Sequence, residues 1–177
     1  MASFEFLAIV LSVLGLAASI TYYANILRNA NKTQEMQLET RSQQLFMQIY
    51  QQASTPEVIR YWAEVIKYEW LDLEDFYSKY GAHSNSDTYG KYSSIWRRYN
   101  TVGIMLRDHR ISPALLYDYM GTAVLRMWNK FGSLIYEMRK FEDNPGRMEW
   151  FEYFALEMDK VRVTRGISDK VVKIERE

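Results

Sequence analysis

The sequence predicts an all-α protein with an N-terminal transmembrane helix, a helical stalk and a cytoplasmic helical bundle. An uncharged apolar stretch lies near the N-terminus, and apolar residues then recur at helical spacing along the chain. We find no convincing alternating strand pattern, apart from residues 167–174, where a frayed helix or tail fits equally well. The predicted boundaries are 1–27 for the transmembrane helix with its N-terminal flank, 28–44 for the stalk, 45–165 for the domain and 166–177 for a C-terminal tail.

The composition excludes several classes of protein. A chain that is 48% hydrophobic and 15% aromatic is too apolar for a disordered protein. The absence of cysteine excludes disulfide frameworks and cysteine-ligated metal sites. The 22 basic and 22 acidic residues give a formal net charge of zero, so we expect no nucleic-acid partner.

The transmembrane helix is predicted from Phe6–Leu27, which contains no charged residue. As a helix these 22 residues would span roughly 33 Å, close to the ~30 Å hydrocarbon core of a bilayer. A cleavable signal peptide fits less well, because residues 1–5 contain no Lys or Arg. A buried core helix of this length without a charge would be unusual.

The orientation is predicted from the residues that flank the span. Arg28 and Lys32 follow it, whereas the preceding residues offer only Glu5 and the terminal amine. Because Lys and Arg favour the cytoplasmic side, we expect the N-terminus outside and the domain inside the cell membrane. Tyr22 and Tyr23 are expected at the inner membrane interface, with Arg28 and Lys32 just beyond it.

Small residues form one face of the predicted span. Ala8, Ser12, Gly15 and Ser19 are separated by four, three and four positions. Small residues at this spacing allow two helices to approach closely in lipid, which favours a homo-oligomer. A pore lined by this face is an alternative, although the span contains no ionisable residue to mark an ion path.

The stalk is predicted because residues 28–37 are polar but contain no Gly or Pro that would end a helix. Apolar residues return at Leu38, Leu45, Phe46 and Ile49. One helix from about Phe4 to Gln52 is therefore the simplest interpretation.

The helices of the domain are predicted from start signals, stop signals and apolar faces. Thr55-Pro56 and Ser112-Pro113 each place a capping residue before a proline, residues 72–80 form a short helix that stops at Gly81, residues 82–87 form a loop, and residues 143–146 form a turn. The predicted faces are Ile59, Trp62, Ala63, Ile66 and Trp70; Ile95, Tyr99, Val102 and Leu106; Val124, Trp128, Phe131, Ile135 and Met138; and Met148, Phe151, Ala155 and Met158. We expect the five tryptophans and the methionines to fill the core.

No catalytic constellation is found, so we do not predict an enzyme or a cofactor. Neither of the two histidines lies at a metal-ligand spacing. The acidic cluster Glu69, Asp72, Glu74 and Asp75 could hold Mg²⁺ or Ca²⁺, but a helix cap at Asp72 followed by acidic residues in the first turn explains it more simply. The Arg97–Arg98 pair is weak evidence for nucleic acid and leaves a small-ligand pocket open.

The chain resembles a family of small, mostly archaeal, single-pass membrane proteins known only as a domain of unknown function. The resemblance implies one N-terminal membrane helix and a helical cytoplasmic domain, and it supplies no catalytic residues. The residues that carry it are 14–33, 38–41 and 44–50 around the stalk, and 126–131 and 149–153 in the domain.

These observations predict a membrane-tethered helical interaction module that self-associates through its membrane helix and stalk. Its expected partners are the lipid bilayer, further copies of the chain and an unidentified protein. Two alternatives remain: an oligomeric channel or pore-forming effector, and a membrane-anchored small-ligand sensor or enzyme.

Overall fold

The structure is a computed structural model that describes residues 2–168, and over that range it contains helices and loops but no β-strand. The all-α prediction is confirmed. The elements are α1 Ala2–Ala53, α2 Pro56–Val65, α3 Leu73–Tyr80, α4 Ser86–Arg107, α5 Pro113–Leu116, a π-helical turn Tyr117–Gly121, α6 Thr122–Phe141 and α7 Glu149–Thr164.

The chain divides into two compact units, one ending at Gln43 and one beginning at Gln44. The first unit consists of α1 up to that point. The second contains the last residues of α1 and all the later helices. From residue 169 on, the predicted tail 166–177 and the strand alternative at 167–174 lie outside the described residues.

Side-chain caps begin the second and third helices where the sequence predicts them. The Oγ1 of Thr55 accepts the N–H of Val58 at 3.4 Å, and Pro56 is the first residue of α2. Asp72 caps α3 by accepting the N–H of Asp75 at 2.8 Å. These contacts satisfy backbone donors that have no partner within the helix.

The apolar faces predicted for the last three long helices are largely buried. Every residue of the α4 face is buried, and so is the α6 face except Trp128 and the α7 face except Met148, both of which are half-buried. The hydroxyl oxygens of Tyr68 and Tyr92 are buried as well, and the Tyr68 ring stacks on that of Tyr80 with centroids 4.2 Å apart. Helical periodicity thus located most of the core.

The face predicted for α2 is wrong in part. The helix ends at Val65 and does not reach Trp70, and the side chain that it buries is Val65. Ile59 is 57% exposed and Ala63 is also exposed. Trp62, Ile66 and Trp70 are half-buried and pack against the core, whereas Ile59 lines a cavity.

The expectation that five tryptophans fill the core is also corrected. Only Trp96 is fully buried, and the other four tryptophans are half-buried. Phenylalanines occupy the centre instead, with the ring of Phe131 5.2 Å from that of Trp96 and 5.0 Å from that of Trp70. Four of the methionines, Met120, Met127, Met138 and Met158, are buried as expected, whereas Met36 and Met47 are exposed.

Two residues of α4, Gly103 and Asn100, contact the backbone of α7. A Cβ placed on Gly103 would lie 1.9 Å from the carbonyl oxygen of Trp150, so the two helices meet at the glycine. One turn earlier, Asn100 Oδ1 accepts the N–H groups of Trp150 at 3.1 Å and Phe151 at 3.2 Å. An α4 side chain therefore caps α7, whose own N-cap residue Met148 makes no side-chain cap bond.

Candidate functional site

The predicted helix-packing residues lie on one exposed face of α1. Ser12 Oγ donates to the carbonyl of Ala8, and Ser19 Oγ donates to that of Gly15, both at 2.8 Å. A Cβ on Gly15 would have no heavy atom within 4 Å. The face is therefore smooth and its hydroxyls are satisfied within the helix.

The predicted membrane-interface residues are also exposed on α1. The rings of Tyr22 and Tyr23 meet edge to face, with centroids 5.7 Å apart. Arg28 and Lys32 follow at two and three turns beyond Tyr22 along the same helix. Among the described helices, α1 alone is long and apolar enough to cross a bilayer, on length and composition. None of its most apolar stretch is buried.

The acidic cluster forms a local hydrogen-bond network around the start of α3. Asp75 Oδ2 accepts the N–H of Leu71 at 2.9 Å and Lys79 Nζ at 2.7 Å. The bond from Lys79 and the bond from Leu71 lower the pKa of Asp75. Glu69 contributes its backbone carbonyl to Lys79 rather than its carboxylate. Within the described residues, no group of three or more acidic or histidine side chains is arranged to hold a metal ion.

The second unit contains a cavity of about 350 Å³ between the end of α1, α2, α4 and the π-helical turn. Its walls are mainly aromatic and aliphatic, with one charged side chain, Arg98. Burial raises the pKa of the Tyr99 hydroxyl in this wall above its ordinary value, so it stays protonated. The lining residues are Ala53, Ser54, Val58, Ile59, Trp62, Ile95, Arg98, Tyr99, Tyr119, Met120 and Ala123.

The π-helical turn positions two of these lining residues, Tyr119 and Met120. The Tyr119 hydroxyl hydrogen-bonds with Ser54 Oγ at 2.6 Å and donates to the carbonyl of Tyr50 at 3.3 Å, which ties the turn to the end of α1. On its other side, Asp118 forms an ion pair with Arg165 from the end of α7, and that pair lowers the pKa of Asp118. Single π-helical turns occur frequently at functional sites in proteins.

Comparison with known proteins assigns the chain to a family. A family model described as "Domain of unknown function (DUF4760)" matches residues 3–158. The chain belongs to this family. The predicted resemblance to a family of unknown function is thereby confirmed, whereas its archaeal distribution and membrane location stay predictions. The match includes both the apolar part of α1 and most of the helical domain. No curated protein and no solved structure matches the chain.

The sequence did not reveal the cavity of this DUF4760 member. Ile59, Trp62 and Met120 were assigned to the core, and Tyr119 was not identified at all. Of the Arg97–Arg98 pair, for which the sequence left a small-ligand pocket open, only Arg98 lines this cavity; it lies three residues after Ile95 and four before Val102, on the predicted buried face. A charged residue on an otherwise apolar helix face indicates a polar contact, such as a counter-ion, in addition to core packing.

Proposed function

We propose that this protein is a membrane-tethered helical module that self-associates, with its N-terminus outside the cell membrane and its helical domain in the cytoplasm. The observation that carries the proposal is the exposed apolar surface of α1. Its side chains from Phe6 to Leu16 are mostly about 60% exposed, with Phe6 at 69% and Ile9 at 63%. Such a large uncovered apolar surface marks a membrane or protein contact.

A bilayer fits this surface better than water does. In hydrocarbon every polar group needs an internal partner, and the helix meets that need with its own backbone hydrogen bonds. The hydroxyls of Ser12, Ser19 and Thr21 donate to carbonyls one turn earlier, at 2.8, 2.8 and 2.9 Å. Tyr22 and Tyr23 then lie where the apolar stretch ends, as expected of interface aromatic residues.

Membrane insertion is tested by a charge in the centre of the span. We expect the full chain to resist alkaline carbonate extraction from membranes and Leu11→Arg to be extracted, because an arginine at a helix centre costs about 2.5–3.5 kcal/mol of insertion free energy. Leu38→Arg is the matched control. Leu38 is also an exposed leucine of α1, 58% against 61% for Leu11, but lies in the predicted stalk. Extraction of the unaltered chain would contradict the proposal.

Self-association is proposed through the face formed by Ala8, Ser12, Gly15 and Ser19. Both serine hydroxyls donate to the helix backbone, which supports close helix packing better than a water-filled pore. We expect Gly15→Leu to convert an oligomer in nanodiscs into monomers, counted by single-molecule photobleaching.

The matched control for Gly15→Leu is Ala17→Leu, since residue 17 lies on the opposite side of the same helix. Both variants add a leucine to the span, so a change in hydrophobicity alone would affect them equally. Monomers in the unaltered protein, or equal loss of oligomers in both variants, would refute this face as the contact.

A further inference from the structure

We propose that the cavity between α1, α2, α4 and the π-helical turn binds a small amphipathic monocarboxylate, with its carboxylate on Arg98 and its apolar body against the cavity wall. This site is separate from the membrane contact proposed above and does not depend on it. The structure supports it through the state of Arg98, the apolar residues around the cavity and the volume available.

Arg98 is a cation without a counter-ion in the described part of the chain. Its Nε and Nη1 atoms are buried and have no hydrogen-bond partner there. Arg98 is half-buried, and a counter-ion beside an apolar wall interacts with it more strongly than a counter-ion in water does. A carboxylate oxygen accepts a strong, charge-assisted hydrogen bond from a guanidinium N–H group. A carboxylate in the cavity would therefore supply the counter-ion that the described residues do not supply to Arg98.

The charge of the cavity favours a single negative charge on the ligand. Arg98 is the one charged residue among the lining side chains. One carboxylate neutralises it, whereas a phosphate dianion would bring an excess charge with no second cation in the wall. The indole Nε1 of Trp62 is a further buried donor and has no acceptor at bonding geometry among the described residues. It lies near the Tyr99 hydroxyl, where it partly offsets the rise in the Tyr99 pKa that burial causes.

The wall of the cavity favours an apolar body on the ligand. Val58, Ile59, Ile95 and Met120 line it together with aromatic rings. Ile59 belongs to the apolar face of α2 but is 57% exposed, so its side chain lacks the packing that its neighbours on other helices have. About 350 Å³ accommodates roughly twelve non-hydrogen atoms, at about 30 Å³ for a water-sized group. A medium-chain acid such as octanoate is of this size.

A second cavity shares Arg98 but suits an apolar ligand less well. Its volume is about 230 Å³, and its wall includes Gln52, Ser94, Arg97 and Thr101. Because these polar side chains form much of its wall, the smaller cavity offers an apolar chain less apolar surface. We therefore assign the monocarboxylate to the larger cavity and include the smaller one as a control.

The first experiment compares octanoate with 1-octanol, octylamine and octyl phosphate, which share a chain and differ in head group. The full chain in nanodiscs is titrated by calorimetry, and empty nanodiscs of the same lipid correct for partitioning. We expect octanoate to bind most tightly. Equal binding by all four compounds, tighter binding of octyl phosphate or no binding of octanoate would overturn the assignment.

The second experiment identifies the residues. We expect Arg98→Gln to weaken octanoate binding about tenfold or more, as loss of a charge-assisted hydrogen bond does, while Arg97→Gln leaves it unchanged. Arg97 is the exposed neighbour and does not line the larger cavity. Equal loss in both variants would indicate a general charge effect and refute the site.

A third pair of variants keeps the proposal testable if Arg98→Gln fails to fold. Ala123→Phe fills the larger cavity and Met105→Phe fills the smaller one, both with Arg98 intact. We expect the first to abolish octanoate binding and the second to preserve it, with near-UV circular dichroism confirming folding. The reverse result would place the ligand in the smaller cavity and overturn the assignment.

Discussion

Gly103 sets the distance between α4 and α7 at the scale of a single residue. A Cβ there would lie 1.9 Å from the carbonyl oxygen and 2.6 Å from the carbonyl carbon of Trp150. Because these are backbone atoms, the clash is relieved only by moving a helix. We expect Gly103→Ala to lower the free energy of unfolding by about 1–3 kcal/mol or more, measured by urea denaturation of the full chain in detergent.

Gly90 provides the matched control on the same helix. It lies inside α4, and a Cβ there would have no heavy atom within 4 Å. Gly90→Ala should therefore stabilise the protein by about 0.5–1 kcal/mol, because alanine loses less backbone freedom in a helix. If both substitutions stabilise the protein, Gly103 does not contact the Trp150 carbonyl closely.

The sequence predicted the face of α4 but not the special residues beside it. Ile95 and Val102 are buried as their spacing indicates, at 3% and 2% exposure. Gly103 follows Val102, yet its role depends on the carbonyl of a residue 47 positions later. Likewise Arg97 and Arg98 are adjacent in sequence, and the rotation of about 100° per residue leaves the first exposed and the second against the core.

The start of α7 depends on a cap supplied by another element. Asn100 of α4 accepts two first-turn N–H groups of α7. We expect Asn100→Ala to lower the free energy of unfolding by about 1–3 kcal/mol, because two partly buried donors lose their acceptor. The measurement is chemical denaturation followed by tryptophan fluorescence, since Trp150 lies in the affected turn.

Asn100→Asp tests whether the acceptor is what matters. It keeps an oxygen at the same position and places a negative charge at a helix N-terminus, where the helix dipole favours it. The free energy of unfolding of this variant should therefore be close to that of the unaltered protein. If aspartate is as destabilising as alanine, the amide group acts through packing and not through the cap.

The sequence predicted the helix start that has a local capping signal and missed the contacts that distant residues supply. Asp72 caps α3 from within its own segment, so its position and the following Asp75 were sufficient to predict it. Met148 at the start of α7 has φ of 55° and no capping side chain, and its cap comes from Asn100. The π-helical turn likewise follows Pro113 without a local signal and is held by Ser54 and Arg165 from distant segments.

At the scale of the whole molecule, the balanced net charge divides unequally along the chain. Residues 1–27 contain a single charge, Glu5, so the remaining residues contain 22 basic and 21 acidic side chains. A mean hydropathy of −0.33 therefore averages an apolar helix with a highly charged domain. The composition supports the membrane proposal only after this division, because each part suits a different solvent.

The proposed topology of the whole molecule can be measured with engineered cysteines, because the chain contains no cysteine. We expect a membrane-impermeant maleimide to label Ser3→Cys in intact cells, and to label His83→Cys only after permeabilisation. His83 is exposed in the loop before α4, so the membrane and not the fold would protect it. The opposite pattern would show that Arg28 and Lys32 do not determine the orientation. If flanking charge sets the orientation, replacing Arg28 and Lys32 by Gln and Ser3 by Lys should allow His83→Cys to be labelled in intact cells.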